Sequence, residues 1–254
     1  MPPPKGLAIL IGAGPAAGAG IARTLAHPSH GNYALALLSR NADNLTTLAK
    51  SLRSSAPGST IETFPTDTSP PKLSAAFSAI RSHPSFAGLK LRVAVYSIKN
   101  ASVKPFEEET FEQYMESMQV FAGGAMAFSQ EVVKMLFEHH GRTPLAEGGG
   151  HKGTIIFTGT MGALRTNAKF ASYGGSRAAV RSLAQAVAKE YSPLGIHGAH
   201  VIANGAIKDE DTEATQSGKS MSADAVGKTY LFLAEQDPTL YTFELDIRPA
   251  QEKF

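Results

Sequence analysis

The residues best placed to do chemistry are Tyr173 and Arg177, in Tyr173-Gly174-Gly175-Ser176-Arg177. On a helix, positions i and i+4 share a face, so a phenol and a guanidinium so spaced can point into one cleft. A free phenol has a pKa near 10 and gives a proton to a carbonyl oxygen more readily beside a fixed cation. Upstream, Thr160 follows a strand-like run and can hydrogen-bond the same oxygen from the other side. Taken alone, such a tyrosine is more often a core residue with a satisfied hydroxyl.

A second group lies near the start, in Gly12-Ala13-Gly14-Pro15-Ala16-Ala17-Gly18-Ala19-Gly20. Glycines let the backbone turn sharply after a strand and approach a pyrophosphate with no Cβ in the way. The helix that follows offers free N–H groups and the positive end of its dipole. Small residues packing a helix onto a sheet explain many such strings, but this one directly follows the apolar run Leu7–Ile11. The second apolar run ends in Ser39-Arg40, with no acidic residue until Asp43. An acid there would bind a ribose 2′-hydroxyl and repel a 2′-phosphate, whereas a guanidinium pairs with the phosphate. The pair therefore favours NADP(H) over NAD, the alternative being a solvated surface arginine.

The scaffold follows from hydrophobic patterning. Short apolar runs at 7–11, 33–38, 60–64, 91–96, 154–157, 199–202 and 243–247 read as strands buried on both faces. Helical patterns fill 18–26, 42–54, 70–82, 110–139, 172–191 and 222–235. The clearest places Val180, Leu183, Ala184, Val187, Ala188 and Tyr191 on one stripe. The alternation predicts one α/β domain over 1–254, a doubly wound Rossmann fold whose seven-stranded parallel sheet carries helices on both faces. The polar, acidic stretch 208–220 follows a strand's carboxyl end; a substrate loop near 205–222 and an ordinary mobile loop are equally open readings. Gly141–Gly153, with its glycine triplet, reads as a flexible surface insertion.

These residues, in this order, resemble the short-chain dehydrogenase/reductase family over nearly the whole chain. Gly14-x-x-x-Gly18-x-Gly20 matches its Thr-Gly-x-x-x-Gly-x-Gly loop, with Ala13 at the threonine. Tyr173 matches the tyrosine of Tyr-x-x-x-Lys, Thr160 falls at the catalytic serine, and Asn204-Gly205-Ala206-Ile207 is similar to the Pro-Gly-x-Ile/Val segment. The resemblance implies catalytic Tyr173, Thr160 and Arg177. It also implies a dinucleotide held by Gly14, Gly18, Ala19, Gly20, Ser39, Arg40, Asp67, Thr68, Ser97, Tyr173, Arg177 and Ile207. The departures mark an atypical branch. Asn-Asn-Ala-Gly is replaced by Tyr96-Ser97-Ile98-Lys99, the lysine by Arg177, and the helix asparagine aligns to Met118. The implied activity is NADPH-dependent reduction of a carbonyl or imine on a small organic substrate. The alternative is a fold reused without net redox, as an isomerase, dehydratase, cyclase or cofactor-sensing binding protein.

Composition excludes much else. The chain has 254 residues, 24 Lys+Arg against 22 Asp+Glu, and no cysteine. That balance argues against a nucleic-acid or membrane footprint, and no run approaches the roughly 18 apolar residues of a membrane span. Disulfides and thiolate sites are excluded, and the eight histidines show no spacing that suits a metal. A cytoplasmic location is the expectation. Met126, Phe128, Val132, Val133, Leu136 and Phe137 spread round the helix 110–139, which predicts a homodimer or homotetramer, against a thick monomeric core.

Overall fold

The computed structural model describes residues 2–99 and 102–253. The chain alternates β1 (Leu7–Ile11), α1 (Ala17–Ala26), β2 (Ala34–Ser39), α2 (Ala42–Ser55), β3 (Ile61–Pro65), α3 (Pro70–Ser82) and β4 (Leu91–Tyr96). It continues with α4 (Phe111–Met118), a π-helical turn (Gln119–Gly123), α5 (Gly124–His140), β5 (Gly153–Gly159), α6 (Ala171–Tyr191) and β6 (Ile196–Ala203). Last come β7 (Ile207–Lys208), α7 (Glu213–Gln216), β8 (Met221–Ser222), α8 (Ala223–Ala234) and β9 (Glu244–Ile247).

Seven strands form one sheet in the order β3-β2-β1-β4-β5-β6-β9, with every neighbouring pair parallel. Strand order reverses between β1 and β4, which opens a crevice at their carboxyl ends. Apolar side chains leave both faces because both are covered. Phe77 and Ile80 of α3, Phe128 and Leu136 of α5, and Val180 and Ala184 of α6 pack on one face. Ile21 and Leu25 of α1, Leu45 and Leu52 of α2, and Val226 and Tyr230 of α8 pack on the other. On the second face α1 and α8 approach closely: a Cβ at Gly20 would run into the Ala223 carbonyl, and one at Gly227 into Gly20.

Two expectations need correction, and a third stretch gains secondary structure. The helix expected over 110–139 is interrupted by the π-helical turn, because Tyr96 donates its hydroxyl to the Val120 carbonyl at 2.6 Å. A Cβ at Gly124 would lie 2.5 Å from that hydroxyl, so glycine makes the contact possible. The stretch 205–222 contains the short helix α7 between two strands of a separate parallel ribbon, β7–β8. The insertion 141–153 is folded on itself: Gly149 N–H meets the Pro144 carbonyl, and the buried Lys152 ammonium donates to the Thr143 carbonyl at 2.8 Å.

At the amino ends of the strands, away from the crevice, histidines gather. His151 Nδ1 lies 2.7 Å from the Tyr241 hydroxyl, and His197 stacks on the Tyr241 ring at 4.5 Å. Burial holds both below the ordinary histidine range, His151 at about 4. The unfolded chain protonates its histidines near 6.5, so acid favours unfolding. The contribution is complete above about pH 6.5 and is lost as pH falls towards the folded value. Urea unfolding should therefore show roughly 2 kcal/mol less stability at pH 4.5 than at pH 7 through His151, a difference that His151→Phe removes. A wild-type stability that is flat over this range would contradict the assignment.

Candidate active site

The glycine loop needs its glycines unequally. Gly12, at φ +88, runs against the Ser97 carbonyl, and a Cβ there would collide with it. A Cβ at Gly18 would lie 2.9 Å from the Gly12 carbonyl oxygen, so Gly18 lets α1 close on the loop. Gly14 has room around it, and Ala19 and Gly20 are buried in the helix. Ala16 precedes α1 at φ +65, a conformation that costs a non-glycine residue of the order of 1–3 kcal/mol. No side chain caps α1 and its first turn has no acid, so its leading N–H groups are left for an anion.

Above this loop runs a groove of about 480 Å³. It brings together Gly14, Ser39, Arg40, Asp67 and Thr68 from three separate stretches of sequence, with Asn41, Asn44, Ile98 and Lys99 beside them. Arg40 is exposed at its rim. One Asp67 oxygen accepts the Ser69 hydroxyl at 2.5 Å and the Ser69 N–H at 2.8 Å, and these bonds hold its carboxyl below the usual range, helped by Lys72 and Arg40. Ser97 is buried beneath Gly12, and Gly20 serves the α1–α8 contact, so neither lines the groove. Ile207 sits in the β7–β8 ribbon opposite Met221. The groove and its uncapped helix fit a dinucleotide phosphate chain: the backbone lies open where a Cβ would fill it.

The second group meets at the carboxyl end of β5. Thr160 and Tyr173 line a cleft of about 320 Å³ together with Arg165, Asn167, Phe170, Asn204 and Glu252. A Cβ at Gly162 would lie 2.8 Å from the Tyr173 ring and 3.4 Å from Thr160 Oγ1, so a bare backbone separates the two side chains. Thr160 Oγ1 is buried and has no hydrogen-bond partner among the described residues, as expected of a hydroxyl kept for a ligand.

Arg177 is only 5% exposed. Its guanidinium carbon lies 3.4 Å from the centroid of the Tyr173 ring and 4.2 Å from that of Phe121, and Nη1 donates to the Tyr173 carbonyl at 3.2 Å. Burial pulls its pKa below the ordinary guanidinium range, and neighbouring Tyr173 opposes that shift. Arg177 thus lies along the phenol ring, and the cleft is not lined by it. The helix residue that faces it is Phe121; Met118, which aligns to the family's helix asparagine, ends α4 one turn earlier. Phe121 and Glu252 carried no signal in the sequence, since both reach the site through tertiary packing. Gly162, two residues past Thr160, could have been found by its spacing.

The family model for short chain dehydrogenases matches residues 7–220. The chain belongs to the short-chain dehydrogenase family. No curated protein matches the sequence. Solved structures share the fold. A short-chain dehydrogenase from Rhodopseudomonas palustris is 24% identical, with a TM-score of 0.77 over 97% of this chain and 100% of that one. An apo short chain oxidoreductase from Pseudomonas aeruginosa with an atypical catalytic center is 15% identical, with a TM-score of 0.80 over 98% of each. L-Sorbose reductase from Gluconobacter frateurii, in complex with NADPH and L-sorbose, is 16% identical, with a TM-score of 0.79 over 98% and 97%. Among the described residues no helix is long and apolar enough to cross a membrane.

Proposed function

We propose that this short-chain dehydrogenase is an NADPH-dependent reductase of a carbonyl or imine group on a small organic substrate. The observation that carries the reading is Thr160 Oγ1, buried and unpartnered among the described residues, beside Tyr173 in one cleft. When bound, NADPH supplies the hydride. Tyr173 donates the proton to the substrate oxygen or nitrogen, and Thr160 holds that atom from the other side. Arg177 keeps the phenol in place through the stacked ring and puts a positive charge beside it. It does not pass on a proton, since a guanidinium does not readily give one up. That burial of the cation is what favours the second reading, a protein that binds the cofactor without net redox.

Arg40, at the rim of the groove, pairs with the 2′-phosphate on this reading, and the open start of α1 takes the pyrophosphate. The L-sorbose reductase and its bound NADPH are in keeping with that choice. We also infer a homodimer or homotetramer. Five of the six apolar residues that suggested one, all but Met126, are buried within the chain. What supports the assembly is the groove of about 550 Å³ between α5 and α6, where Met126 is 47% exposed beside Leu183, Ala186 and Val187. Light scattering at micromolar concentration should report at least a dimer; a monomer would remove the assembly.

Calorimetric titration should find NADPH bound at least about tenfold tighter than NADH, or roughly 1.4 kcal/mol. Arg40→Asp should reverse the order through the lost pair and a new repulsion; equal affinities in the wild type would sink the assignment. Tyr173→Phe should leave NADPH affinity nearly intact while cutting turnover by about 10²–10⁴. Full activity in Tyr173→Phe, with activity abolished in Arg177→Ala, would overturn Tyr173 as the proton donor and point to chemistry carried by other groups.

A further inference from the structure

The cleft beside Tyr173 is closed by residues from the far end of the chain. After β9 the backbone turns at Pro249, which packs on Gly205: a Cβ there would lie 2.7 Å from Pro249 Cδ. Gln251 then ties the tail to the end of α7. Its backbone N–H donates to the Gly218 carbonyl at 2.9 Å, and its side-chain amide donates to the Ser217 carbonyl at 2.8 Å. These two anchorages bring the half-buried Glu252 to the wall that Thr160, Tyr173 and Asn204 also form. Its carboxylate is 3.3 Å from where a Gly205 Cβ would stand. Among the described residues that carboxylate accepts no hydrogen bond, though its charge reaches the Arg248 guanidinium, which is itself paired with Asp246.

The only other charged residue lining the cleft, among those described, is Arg165. One carboxylate and one guanidinium leave no net charge to select an ion. The remaining lining is rich in neutral polar groups: the amides of Asn167 and Asn204 and the hydroxyls of Thr160 and Thr166, beside the rings of Phe170 and Tyr173. A carboxylate only accepts hydrogen bonds, and its two oxygens can serve two hydroxyls at once. An apolar substrate would cover that carboxylate without supplying a hydrogen bond, at a cost that sets polar and apolar substrates apart.

We propose that Glu252 is a specificity-determining residue that accepts hydrogen bonds from the hydroxyls of the substrate, so that the cleft takes polyhydroxylated, sugar-like carbonyl compounds. The proposal rests on the reductase reading for its chemistry but not for its binding. L-Erythrulose and 2-butanone share a four-carbon skeleton and differ in hydroxyls, so NADPH oxidation by the full-length protein with each gives a matched ratio of kcat/KM. The wild type should favour erythrulose, and Glu252→Ala should lower the ratio at least tenfold, mainly through KM, with Glu252→Gln between them. Calorimetric titration of L-erythrulose in the presence of NADP⁺ reads the same contact without turnover and should weaken at least tenfold in Glu252→Ala. If neither ketone oxidises NADPH yet erythrulose binding depends on Glu252, the reductase reading fails and the site stands. A wild type that prefers 2-butanone, or erythrulose binding indifferent to Glu252→Ala, would overturn the proposal.

Discussion

A guanidinium taken out of water and laid between two aromatic faces sets the geometry on which the cleft depends. Desolvating Arg177 costs free energy, and two ring faces and a carbonyl are among the groups that compensate it. A desolvated cation–π contact is worth about 2 kcal/mol, so both rings must stay in register. Tyr173 is held by α6. Phe121 is held by the π-helical turn, which the Tyr96 hydroxyl fastens from β4. The position of the Tyr173 phenol therefore depends on a strand, a turn and a helix that are far apart in sequence.

The glycines divide the labour on the other side of the crevice. Gly12 and Gly18 let the loop fold back on Ser97 and on itself, whereas Gly20 and Gly227 let two helices touch. One glycine-rich string thus serves both a groove and a core. A uniform reading of such a string as a phosphate cradle overstates what its last glycine does.

Much of the fold was legible because its physics is local. Strands buried on both faces are near-continuous apolar runs, and the alternation with amphipathic helices leaves few topologies. Tyr173 and Thr160 were legible because helical spacing and a strand end place them without knowledge of the rest. Arg40 and Gly14 likewise fall where the first two strands end. What the sequence hid is what long-range packing creates: Phe121 against Arg177, the break in the helix at Gln119–Gly123, and Glu252 delivered by a tail. Packing likewise buries within the chain all but Met126 of the apolar residues whose spread round the helix points to a second copy. None of these leaves a periodic signature, because each depends on which other element happens to lie opposite.

The proposed chemistry moves a hydride from NADPH to a carbonyl carbon while Tyr173 protonates the oxygen. Incubating the protein with NADPH carrying deuterium at both C4 positions and a hydroxylated ketone tests this by mass spectrometry of the product. The account predicts one deuterium on the new carbinol carbon, in step with cofactor oxidation. A product that forms without deuterium, or with the cofactor left reduced, would contradict it.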